Sequence, residues 1–260
     1  MTTADFFDDR WPVIYMDNHL LVLYKPAGLL VQGDATGDIC LLDLGKRWLK
    51  IHCNKPGEVF LGLVHRLDRP VAGVVVFART SKAAARLSAQ FRSRTVEKQY
   101  LAVVEGRLAE DTGYLVHHIE RTDQKSRVMD GPTPRSREAR LHYAVLDKNA
   151  DRSLIKVGLE TGRRHQIRIQ LAALGHPVVG DLRYGSRHPL SHQQIALLAH
   201  LLKVDHPTRH VQMTFTSPIP DGWPWQMPTM AHPLPPLPWD WKAFENCAAR
   251  HASCGSIQRF

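Results

Sequence analysis

The 260-residue sequence predicts a fold that combines strands with helices around a buried core, and three consecutive stretches carry that prediction. Gly73-Val74-Val75-Val76-Phe77-Ala78 is a β-branched run too apolar for anything but a buried strand. Directly after it, Ser81 to about Arg94 puts Ala84, Leu87 and Phe91 on one face and turns Lys82, Arg86 and Arg92 outward, the spacing of an amphipathic helix that Ser81 can cap. Glu97 to Val104 then reads as another strand, with Tyr100 at its start. With 43% apolar and 23% charged residues, the chain has ordinary globular composition, enough for one large domain or two closely joined halves.

The remaining elements follow in chain order. Pro12 to Tyr24 reads as two short strands around Asp17-Asn18, a hairpin that Lys25-Pro26-Ala27-Gly28 ends because proline withdraws a ladder donor and Gly28 can take a positive φ. Lys25 either positions that loop or is simply solvated. Leu41, Leu42, Leu44, Trp48 and Leu49 have roughly helical spacing, broken by residues 51–57. His52 and Cys53 are adjacent, a poor arrangement for chelating one ion, and no metal site is expected. Between Arg121 and Arg140, six basic residues stand against three acidic ones with Gly131, Pro132 and Pro134 in the middle, which reads as an exposed, mobile, basic loop for phosphate contact or plain surface. Leu141–Leu146 and Leu154–Leu159 look like a strand pair.

If residues 162–175 are helical, Arg163, Ile167, Leu171 and Leu174 stack on one side, Arg168 lies beside them, Gly175 is a left-handed cap and Pro177 blocks continuation. Arg168 is then held at the margin of buried surface, where a guanidinium needs a carboxylate. Residues 195–202 form a further apolar segment, and His210 to Thr216 alternate like a closing strand. Beyond Ser217, eight of the 17 prolines and four of the six tryptophans fall within 218–241, too much proline for helix or sheet and too much tryptophan for a solvated linker. That predicts an extended arm laid over the domain, open to partner binding, with a fraying end after about Cys247.

Charge and cysteine usage bound the function. The 34 Lys and Arg against 25 Asp and Glu give a formal charge of +9, which favours a polyanionic partner or marks a merely basic protein. No stretch approaches the roughly 18–20 apolar residues of a membrane span, and Asp5, Asp8 and Asp9 deny the start a signal peptide's basic character, so a cytoplasmic protein is expected. Cys40, Cys53, Cys247 and Cys254 lack a paired spacing and read as reduced thiols.

One acidic residue stands out. Asp68, between Arg66 and Arg69 and just upstream of the buried strand, puts a carboxylate at the rim of the core, with Pro70 stiffening the turn. Taken alone, it reads first as a surface Asp in a loop ion pair. Asp68 is the partner expected for Arg168, although periodicity cannot show their distance.

Three blocks in order resemble the RluA-type family of RNA pseudouridine synthases: Tyr24-Lys25-Pro26-Ala27-Gly28, His65-Arg66-Leu67-Asp68 with Gly73 and its strand, and Thr161-Gly162-Arg163-Arg164-His165-Gln166-Ile167-Arg168 with Gly180-Asp181 and Tyr184-Gly185. The resemblance spans most of 13–216. It implies an α+β pseudouridine synthase fold, a mixed, largely antiparallel sheet with flanking helices and loops around a central cleft. It implies an isomerase of uridines in transfer or ribosomal RNA that uses no cofactor, with Asp68 catalytic, Arg168 holding it ionised and Tyr100 stacking on the uracil. Arg66 matches the residue that fills the space the target vacates, and Arg69, Lys25, Arg163, Arg164, His165 and Gln166 are expected on the RNA side. Ala72 stands where a serine is usual and Gln170 where histidine is common. The expected organisation is a lead-in over 1–12, a catalytic domain over 13–216 and the arm over 217–260, acting as a monomer. No small RNA-binding domain fits before residue 13, so target choice is expected to rest on the catalytic domain and the arm. Two readings compete: a non-catalytic RNA-binding module or chaperone, and an N-glycosidase, although the second carboxylate usual in sugar hydrolysis is not evident.

Overall fold

In chain order the strands are β1 (Val13–Met16), β2 (Leu20–Lys25), β3 (Gly62–Leu63), β4 (Ala72–Ala78), β5 (Glu97–Glu105), β6 (Thr112–Arg121), β7 (Ser126–Met129), β8 (Ser136–Lys148), β9 (Arg152–Leu159), β10 (Leu197–Asp205) and β11 (Gln212–Thr216). The helices are α1 (Leu41–His52), α2 (Ser81–Ser93) and α3 (Gln166–Ala173). This structure is a computed structural model that describes residues 13–122, 126–220 and 222–226. Among the described residues, all the strands join one sheet whose main path runs β1-β2-β4-β10-β5-β9-β8-β6-β7, with β3 on β4 and β11 on β10. Among the described strands only β4 and β10 pair in parallel and the other pairs are antiparallel, the mixed α+β arrangement expected.

The sheet is built from the residues that predicted it. Every position of β2 and β4 is buried, because their alternate faces meet different apolar clusters: Leu21, Leu23, Val75 and Phe77 lie in the larger one, and Leu20, Val22, Val74 and Val76 in the one beneath α2. The late strand β10 is inserted between β4 and β5, a long-range placement that no local pattern encodes. It brings the segment before β4 next to the start of β5. The segment 195–202 is thus the lead into a central strand, and 210–216 closes against it as expected.

Several boundaries differ from expectation. The cap of α2 is Thr80, whose Oγ1 accepts from the Ala83 amide at 3.2 Å, one residue ahead of Ser81. Basic residues 121–140 are not a mobile loop: β7 pairs back on β6, β8 continues from Ser136, and a hydroxyl exchange between Thr133 and Ser136 ties the tight turn. Charge hid the strands there, because Ile119, Ser126 and Ala139 are buried at wide intervals amid exposed arginines. Helix α3 is short, so Arg163 lies before it and Leu174 points to solvent, and the expected stack shrinks to Ile167 and Leu171. Gly175 does take a positive φ, 85°. In the segment expected as an arm, Ile219, Trp223 and Trp225 pack on the core and the Trp225 indole donates to Asp147 at 3.2 Å. The later part of that segment, the lead-in over 1–12, Cys247 and Cys254 lie outside the described residues. No helix among the described residues is long and apolar enough to cross a membrane.

Candidate active site

The site begins with a turn that the sheet forces into place. Gly73 has φ +136° and pairs with Ala199 of β10; a Cβ there would lie 2.4 Å from the Ala199 carbonyl oxygen, so only glycine lets β4 start this close. Ala199 is also the partner of Tyr100 on β5, so one β10 residue separates the tyrosine from Gly73, just past the Asp68 turn. Upstream, the Val71 amide donates to the Asp68 carbonyl at 3.1 Å, closing the turn. Lys25 pins it from β2: its fully buried ammonium donates to the carbonyls of Pro26, Leu29 and Arg69 at 2.7–3.0 Å. Burial pulls the Lys25 pKa down to about 7, opposed by the Asp68 charge.

Arg168 reaches this turn from α3. Its Nη1 donates to Asp68 Oδ2 at 3.1 Å, while Nε and Nη2 grip both oxygens of Asp181 at 2.6 and 2.8 Å. Arg168 and Asp181 are almost wholly buried, whereas Asp68 keeps 28% of its side chain open. Burial works against the guanidinium charge, but the bonds and charges of Asp181 and then Asp68 outweigh it and hold Arg168 protonated above its ordinary range. The Tyr184 ring lies 5.1 Å from the guanidinium carbon, a further cation contact. Asp181 is the residue that sequence reasoning missed. The signal was available: a buried guanidinium has five donors, more than one half-open carboxylate can satisfy.

His165 sits on the same rim with φ +56°, at the N-terminal end of α3. Its Nδ1 is 2.7 Å from the Tyr184 hydroxyl and its Nε2 is 3.6 Å from Asp68 Oδ2. Burial lowers its pKa to about 4 despite the Asp68 charge, so near neutral pH it is an uncharged ring and not an ion-pair partner.

Asp68 lines two cavities. One, of about 440 Å³, has Tyr100, Arg168, His65 and Phe91 in its wall; the other, of about 530 Å³, is ringed by Arg66, Arg69, Arg121, Arg164 and Arg183. Tyr100 stays a phenol, because burial and the Asp68 charge both raise its pKa. His65 stacks on Phe91 with ring centres 4.7 Å apart, and its Nε2 accepts from the Val76 amide at 3.0 Å. Burial and then Lys98 hold its pKa down to about 3.

The structure sorts the residues expected on the RNA side. Arg66 and Arg164 are exposed at the cavity mouths, and Arg163 lines the Tyr100 cavity with its Nε bonded to the Glu138 carbonyl at 3.0 Å. Arg69 is half engaged, donating to the Gly28 carbonyl and pairing with Asp38, both at 2.9 Å. Lys25 and Gln166 are corrections. Lys25 has no exposed surface for a phosphate, and Gln166 is buried with its amide bonded to Thr161, the Arg163 amide and the Arg140 carbonyl. Both shape the loops that carry their neighbours. Among the described residues, no group of three or more His, Cys, Asp and Glu side chains is placed to hold a metal ion.

The family model described as RNA pseudouridylate synthase matches residues 19–173, a span that includes Asp68, Tyr100 and Arg168. The chain is 36% identical over 236 residues to the ribosomal large subunit pseudouridine synthase D of Pseudomonas aeruginosa, covering 84% of this chain and 71% of that one. The chain belongs to the RluA-type family of RNA pseudouridine synthases. An RNA pseudouridine synthase YlyB of Bacillus subtilis is 33% identical over 216 residues, covering 80% of this chain and 69% of the other. The solved structure of human RNA pseudouridylate synthase domain containing 4 superposes with a TM-score of 0.69 at 24% identity, covering 81% of this chain and 89% of that chain, which shows the shared fold. As a pseudouridine synthase the protein is an isomerase that converts uridine in RNA to pseudouridine. The two departures from the family pattern now have places. Ala72 is buried beside Leu198, and Gln170, fully buried, spreads its Nε2 over the Leu115 and Ala139 carbonyls and His117 at 3.1–3.2 Å.

Proposed function

We propose that Asp68 is the central catalytic carboxylate of an enzyme that modifies ribosomal RNA, with Arg168 positioning it and Tyr100 stacking on the uracil. The single observation that carries this reading is the 3.1 Å bond from Arg168 to Asp68 at the wall shared by the cavity containing Tyr100 and the arginine-ringed one. The first has room for a base withdrawn from its stack, and the second suits the phosphates on either side. Unstacking the target costs roughly a few kcal/mol, which contacts in both cavities offset.

The reaction breaks the bond from ribose C1′ to N1, turns the uracil while it stays trapped, and joins C1′ to C5. The proton leaving C5 is balanced by one gained at N1, so every atom is retained and no redox carrier, nucleotide or metal takes part. Asp68 serves as nucleophile toward the sugar or ring, or as base toward a ribose proton; each role needs a placed, ionised carboxylate. Tyr100, kept as a phenol, is a ring to stack on and a proton donor or acceptor near C5. Action as a monomer fits a site whose groups all come from one chain, and action in the cytoplasm fits ribosomal RNA as the substrate. Ribosomal RNA is favoured over transfer RNA because the Pseudomonas relative is named for the ribosomal large subunit.

Asp68→Asn is expected to lower turnover by about 10²–10⁴-fold while RNA affinity stays within about twofold. Pseudouridine maps of total RNA from cells with and without the gene are expected to differ at one or a few ribosomal positions. Equal maps with wild type and Asp68→Asn would support a binding module instead. Free uracil among the products would support a glycosidase.

A further inference from the structure

A third cavity, of about 300 Å³, shares Arg168 with the Tyr100 cavity and Arg69, Pro70, Arg168 and Arg183 with the arginine-ringed one, while the rest of its wall has no part in the reaction as proposed. Its apolar wall includes Pro70, Pro189, Leu190 and Ile195, and Arg69 and Arg183 bring positive charge to it. Gln194 lines it as well. That side chain is only 3% exposed, and its Nε2 has no hydrogen-bond partner among the described residues. A buried amide left unpaired in a native fold calls for a role, because nearly all such groups are satisfied. The Nε2 atom itself is almost closed off, so a turn of the amide about its last torsion would present the donor to an acceptor arriving in the cavity.

The wall, the amide and the charge together describe one chemistry. Apolar side chains offer a face for a flat ring, an amide offers a hydrogen bond to the ring's edge, and arginines favour an attached phosphate. The cavity is also close to the target. Arg69 and Pro70 follow Asp68 directly, two backbone steps or about 7 Å at most, and the Ile195 amide is bonded to the Pro70 carbonyl at 3.3 Å. Such a separation suits a neighbouring nucleotide.

We propose that this cavity receives a second unpaired nucleobase of the substrate RNA, one flanking the target uridine, packed against Pro189 and Leu190 with Gln194 bonded to its edge. The inference rests on the RNA reading above and adds a specificity position to it. A residue that reads a flanking base should change substrate binding and leave the chemical step alone.

The test uses the full chain and a transcribed RNA stem-loop spanning the mapped uridine, with an abasic nucleotide placed at each flanking position in turn. On wild type, one abasic position is expected to raise KM about tenfold with kcat within about twofold. Gln194→Leu is expected to melt no lower than wild type, since it removes an unpaired amide, yet to raise KM similarly for intact RNA. The same abasic RNA should then cost the variant nothing more. Leu190→Trp, which fills the cavity and keeps the Gln194 amide, should reproduce that pattern. The proposal is overturned if Gln194→Leu melts lower with KM unchanged, or if losses from the variant and every abasic position simply add. RNA retention on filters is measured alongside: an enzyme without turnover would sink the catalytic reading, while the same non-additivity in affinity would still decide the cavity.

Discussion

Asp181 determines whether Arg168 can do its work. The guanidinium is buried and divides its donors between a carboxylate that is almost fully enclosed and one that is partly open, so Asp181 fixes the geometry and leaves Asp68 with an oxygen not taken up by the guanidinium. Removing the enclosed partner strands a buried charge, a change that typically costs about 3–5 kcal/mol. Asp181→Ala is therefore expected to lower the unfolding free energy by that order and to lower kcat more than it raises KM, measured by urea unfolding and steady-state turnover. Asp181→Asn keeps the shape and one acceptor oxygen, and should recover part of both. Asp68 was legible in the sequence because two arginines, a proline and a buried run surround it. Asp181 was less so, since the fifteen-residue span from Arg168 through Leu182 gives no local reason for two of its members to meet.

Elements repeat this contrast. Helix α2 was legible almost to its ends, because its apolar face and outward charges repeat at helical spacing, and only the cap was displaced by one residue. Thr80→Ala removes the bond to the Ala83 amide and is expected to destabilise the fold by about 1 kcal/mol, seen as a lower urea midpoint, with KM and kcat unchanged because Thr80 lies at the end of α2 away from Phe91. The β6–β7 hairpin and the start of β8 were not legible, since these strands carry arginines on an open face and offer few buried positions to reveal a period, whereas Leu141–Leu146 was read as a strand and does pair with β9. Helix α3 was overdrawn. It has only eight residues, yet it presents Arg168 inward because Ile167 and Leu171 anchor the flanking positions and Gln170 ties the helix to β6 and β8.

At the scale of the whole molecule, two histidines make the fold sensitive to acid. Burial holds His65 at about 3 and His165 at about 4, against about 6.5 in an unfolded chain. Below about pH 6.5 the unfolded chain takes up protons that the folded protein refuses, so stability is complete above that pH and is lost progressively as pH falls toward 4. Urea midpoints are expected to drop between pH 7 and pH 5, and His65→Gln, which keeps an acceptor for the Val76 amide, should flatten that slope.

The sequence by itself determined the class of fold, the buried strand and a carboxylate set at its rim, because apolar periodicity, turn residues and short motifs act over a few neighbours. Tertiary structure alone decided which groups share a cavity. Insertion of β10 between β4 and β5 brings the Asp68 turn to Tyr100, and folding over α3 sets Asp181 against Arg168. Those contacts are made between residues far apart in the chain, and their energies depend on burial that exists only once the sheet has closed around them.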